Sequence, residues 1–113
     1  MQKSSLTALA REQLELALSA SSGRSASTVY GGHEHTLRQT VIALIGGRTL
    51  DEHANPGEAT VQVLRGRVVL RAGDQAWPGS SGDLLIVPDS LHSLEALEDA
   101  VVLLTVAKKL TRF

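Results

Sequence analysis

Residues 5 to 20, SLTALAREQLELALSA, space their apolar side chains with the period of a helix. At about 100° per residue Leu6, Ala10, Leu14 and Ala17 share one face, Leu9 and Leu16 widen it, and Arg11 and Glu15 lie opposite. The pattern predicts one amphipathic helix. It breaks at ASSGRSAS, residues 20 to 27, whose small and polar side chains predict a short flexible link.

From Thr28 the character changes. Short runs rich in Val, Ile, Leu and Thr are separated by turn formers such as Gly46-Gly47, Pro56-Gly57, Gly66, Gly73-Asp74, Gly82 and Pro88-Asp89. The runs predict strands near residues 28–33, 36–45, 48–54, 58–65, 67–72, 75–77, 83–87, 91–97 and 100–107. Strands at this spacing, with no helical pattern between them, predict an all-β fold, an antiparallel sandwich or small barrel. The chain thus divides into a helix with its link, residues 1–27, and one barrel domain, residues 28–113. Within TLRQTVIALI, alternation puts Gln39 on one face and Arg38 with Thr40 on the other, and whichever face is inward offers a polar anchor for a ligand.

Composition narrows the function classes. A chain of 113 residues removes roughly two thirds of its extended surface from water as one domain, without a disulfide. Eleven basic residues against twelve acidic ones, interspersed along the chain, supply no basic face for nucleic acid. Cysteine is absent, so a metal must rest on nitrogen and oxygen ligands. Only Tyr30, Trp77 and Phe113 are aromatic, which leaves a barrel interior to aliphatic side chains. Arg11, Glu12 and Glu15 interrupt the amino-terminal apolar run, and VVLLTVA at 101–107 is too short to cross a bilayer, so a soluble cytoplasmic protein without membrane contact is expected. No Gly-x-Ser-x-Gly elbow occurs, and Gly79-Ser80-Ser81-Gly82 lacks the lysine and helix of a phosphate loop.

Two stretches carry a resemblance. DEHANPGEATVQVLRG, Asp51 to Gly66, has the spacing of the first motif of the cupin superfamily, a His-x-His followed by a Glu and a closing Gly. Counting back from Gly66, Ala59 stands at the glutamate position, Asn55 at the second histidine and His53 at the first. GDLLIVPDSLH, Gly82 to His92, resembles the second motif at Gly82, Pro88 and His92, with Ser90 in place of its second glycine and one residue fewer before the histidine. With the connection between them the motifs cover about residues 46 to 107. The resemblance implies a conical double-stranded β-helix, the jelly-roll barrel of small RmlC-like cupins, often a homodimer, with any site inside the barrel.

Family members with intact motifs bind Fe, Mn, Ni or Zn through three histidines and a glutamate. Carried over here, that set leaves His53 and His92 as ligands, Asn55 as a weak donor and Ala59 as none. Ala59 should share its face with Val61 and Val63, making the interior apolar. The other two histidines form His33-Glu34-His35 after Gly31-Gly32; in an extended strand they would project the same way and complete an all-nitrogen site for Zn, Ni or Cu. Three readings follow. The barrel binds a small polar molecule through His53, Asn55 and His92 with Arg38 or Gln39. Alternatively it is a metal-dependent dioxygenase or isomerase using His53, His92 and His33 or His35, or a non-catalytic assembly module dimerised through its helix and edge strands.

Overall fold

The protein is described by a computed structural model over residues 2–54 and 57–108. Helix α1 (Leu6–Ser19) starts where Ser5 accepts a hydrogen bond from the Ala8 amide at 3.2 Å. Nine strands follow: β1 (Arg24–Tyr30), β2 (Leu37–Leu44), β3 (Thr49–His53), β4 (Gly57–Arg65), β5 (Arg67–Ala72), β6 (Gln75–Ser80), β7 (Leu84–Ile86), β8 (His92–Ala96) and β9 (Ala100–Lys108). They form two antiparallel sheets, ordered β1-β2-β9-β4-β7 and β3-β8-β5-β6, which close on each other as the expected jelly-roll barrel. No helix among the described residues is long and apolar enough to cross a membrane.

Alternation sorts the five-stranded sheet into two faces. The inner face carries rows of paired residues: Arg38–Val106–Ala59, then Thr40–Leu104–Val61–Leu85, then Ile42–Val102–Val63. Against them the second sheet sets Val68, Leu70, Leu94 and Ala96, giving an aliphatic core in which each buried Val or Leu contributes about 2 kcal/mol. The outer face presents Val41, Ala43, Val101 and Leu103 to Ala10, Leu14 and Ala17 of α1, a second core. The helix therefore covers its own sheet.

Three expectations change here. Residues 24–27 are not link: β1 begins at Arg24, and Ser25 and Ser27 alternate toward the helix because small side chains fit beneath it. Gln13, at 7% exposure, takes the flank of the helix expected for Leu16, which is 54% exposed, because Gln13 accepts a hydrogen bond from the Ser25 hydroxyl. Strand β6 also runs on through Pro78 to Ser80; as the sheet edge it tolerates the missing amide of proline. The β4–β5 turn shows why the first motif closes on glycine. Gly66 has φ +80°, and a Cβ there would lie 2.2 Å from the Asp99 carbonyl oxygen.

Candidate binding site at the barrel mouth

His92 begins β8 and His53 ends β3, and a register irregularity between Leu50 and His53 brings the two histidines opposite each other. Their ring centroids lie 4.4 Å apart with the planes at 61°, an edge-to-face pair. Each imidazole is tied to the carbonyl two residues before it: His53 Nδ1 to Asp51 O at 2.8 Å, His92 Nδ1 to Ser90 O at 2.9 Å. A carbonyl only accepts, so both Nδ1 atoms carry the hydrogen, and in the neutral rings both Nε2 atoms keep a lone pair. The two motifs thus deliver a matched pair of acceptors.

The pair lines a cavity of about 30 Å³, walled otherwise by aliphatic side chains including Ile42, Leu50, Val61 and Leu104. That is room for one water-sized group. His92 is 6% exposed and forms its inner wall, whereas His53 is open to solvent at the rim. The polar atoms converging there are therefore few and specific.

The position of the family glutamate is filled as the spacing indicates. Ala59 is buried on the inner face beside Val106, with Val61 and Val63 following on the same face, while Glu58 turns outward. Asn55 lies outside the described residues. Among those described, no third His, Asp or Glu joins the pair in a group able to hold a metal ion. The donors present do not fit the three-histidine, one-glutamate set.

The expected reinforcement from His33 and His35 does not form. Strand β1 stops at Tyr30, and Gly31 onward is a turn in which His33 and Glu34 are exposed. His35 stacks edge-to-face on Tyr30 at 5.1 Å, away from the barrel pair. The physical cause is Gly31, whose φ of +98° ends the extended conformation needed to project the two imidazoles together.

The two anchors expected on β2 separate. Gln39 is on the outer face, where its Nε2 donates to Thr105 Oγ1 at 3.2 Å, so it does not reach the interior. Arg38 is on the inner face, in the row of Val106 and Ala59 at the end of the barrel where His53 and His92 lie. Trp77 pairs with Leu70 at the edge of the second sheet and does not line the histidine cavity. One residue escaped the sequence reading: Lys108 continues the inward series Val102, Leu104, Val106, and its Nζ donates to the Gly32 carbonyl at 2.9 Å. Extending the alternation of β9 by one step would have found it.

A larger groove, about 660 Å³, runs along β4, β7 and β9, lined by Glu58, Thr60, Ile86, Asp89 and Thr105 with the core residues Ala59 and Val87 at its floor. It is open and contains no histidine, so the small cavity, which both histidines line, is the better candidate.

No protein-family model and no curated protein matches the sequence. Solved structures do match the fold. The TT1209 protein from Thermus thermophilus superposes with a TM-score of 0.73 at 21% identity over 96% of this chain and 98% of its own, a span that includes the amino-terminal helix. An RmlC-like cupin protein from Desulfovibrio desulfuricans gives 0.65 at 25% identity, covering 74% and 81% of the two chains. A cupin superfamily protein from Desulfitobacterium hafniense gives 0.70 at 16% identity, covering 76% and 78%.

Proposed function

We propose that the chain, which shares the fold of solved cupin proteins, is a small cupin domain that binds a small polar molecule at the barrel mouth, seating a hydroxyl or amino group against His53 and His92. The observation that carries this reading is the double anchoring of Nδ1 to the Asp51 and Ser90 carbonyls. It leaves Nε2 as the acceptor on each of two rings that line a cavity the size of one heavy-atom group, so the complementary ligand is a hydrogen-bond donor with apolar flanks. Larger parts of the ligand extend past His53 into solvent.

The same anchoring also orients imidazoles for a metal. A metal enzyme would still need donors beyond the two histidines, and no catalytic step is assigned to it. The two readings part on a simple experiment. Protein purified without chelators is analysed for transition metals, and the imidazole resonances are followed while hydroxylated and amino compounds are added. Selective shifts at His92 and His53, abolished in His92→Phe, are expected. Near-stoichiometric metal, or no response from either ring, would contradict the binding role.

A further inference from the structure

Arg38 and Lys108 stand on the inner face at the open end of the barrel, the first in the Val106–Ala59 row and the second one step further out on β9. Among the described residues neither is in an ion pair; the two salt bridges there are Arg67–Glu98 and Arg71–Glu95, at the other sheet. Lys108 is held by a neutral carbonyl, and no hydrogen bond to a described residue occupies the Arg38 guanidinium. Glu58, the carboxylate beside Ala59 in sequence, turns outward on β4, so it does not neutralise the inner face. The barrel mouth therefore combines two acceptors inside with positive charge at the rim that no described carboxylate pairs.

We infer that Arg38 is the anchor for a carboxylate, and that the ligand seated on His53 and His92 is a small hydroxycarboxylate whose hydroxyl enters the cavity while its carboxylate meets the guanidinium. This rests on the binding role proposed above and names its ligand class. The planar fork of Arg38 suits a carboxylate through two parallel hydrogen bonds. Lys108 adds to the positive potential without needing to move. The cavity of about 30 Å³ beside the imidazoles excludes the carboxylate itself, which fixes the orientation: hydroxyl in, anion out. Two neutral acceptors would in any case repel an anion placed there.

The test titrates three probes, lactate, propylene glycol and propionate, into wild-type protein and Arg38→Gln, following backbone and imidazole resonances. Arg38 is exposed and unpaired among the described residues, so the variant should fold, and its thermal melt confirms this. Wild type should bind lactate on the order of tenfold more tightly than propylene glycol, a difference of about 1.4 kcal/mol. Arg38→Gln should erase that advantage while leaving propylene glycol within about twofold. Equal affinity of lactate and propylene glycol for wild type would overturn the carboxylate anchor and leave the binding role intact. A lactate advantage that survives Arg38→Gln would remove Arg38 as its source. If none of the probes shifts either histidine, both the anchor and the binding role fall.

Discussion

The protein holds two pairs of histidines, and they behave oppositely. His33 and His35 are neighbours in sequence, yet a glycine-led turn leaves them apart, one in solvent and one against Tyr30. His53 and His92 are distant in sequence, yet strand pairing puts their rings 4.4 Å apart and backbone carbonyls fix both in the same tautomer. A shared side-chain direction within one strand is worth nothing if the strand is not there. A register across two strands, backed by a hydrogen bond to each ring, makes a site.

Substitutions probe this contrast from both sides. The largest effect should come from Ala59→Glu, which returns a carboxylate to the buried inner face. Without metal it should cost about 3 kcal/mol, from overpacking and from desolvating an acid among Val61, Val63 and Val106. If the barrel pair is properly poised, zinc should restore much of that loss, since three protein ligands are then available. Urea unfolding with and without zinc measures both, and a variant indifferent to zinc would mean the imidazoles are not aimed at position 59.

Next in size is His92→Ala. It empties a buried site and strands the Ser90 carbonyl, so about 2 kcal/mol of stability should be lost together with binding of any hydroxyl probe. His53→Ala should abolish binding as well while costing less stability, because that ring is at the exposed rim. Smallest are His33→Ala and His35→Ala, each expected within about 0.5 kcal/mol of wild type and without effect on binding. A loss of binding in either would restore the four-histidine arrangement that the fold argues against.

Much of this architecture was legible in the residues, and the gaps have physical causes. Helical periodicity over residues 5–20 and the apolar runs after Thr28 located the helix and the strands from β2 onward. Motif spacing assigned His53, Ala59 and His92 to the interior; Ala59 and His92 are buried there, whereas His53 lies at the exposed rim. The inward face of β2 was not readable. Both of its faces are covered, one by the barrel and one by α1, so Val41 and Ala43 look as buried as Ile42 and Leu44 and hydrophobicity does not say which side holds Arg38. The start of β1 was hidden for a related reason: serines at 25 and 27 look like link residues until a helix is laid over them.

Those covered faces also bear on the amino-terminal segment. Its Ala10, Leu14 and Ala17 stripe packs on Val41, Ala43, Val101 and Leu103, which leaves the exposed Leu16 and Leu18 at the helix flanks as its apolar surface toward any second copy. Its removal should expose an aliphatic sheet face.

The proposed ligand recognition at the barrel mouth depends above all on His53 and His92 both holding their proton on Nδ1 and leaving Nε2 as an acceptor. Long-range proton–nitrogen spectra of the imidazoles read this directly. Both histidines should show protonated Nδ1 and unprotonated Nε2, with His33 and His35 free to differ. Protonated Nε2 at His53 or His92 would overturn the assignment, because the cavity would then face a donor where a ligand's hydroxyl needs an acceptor.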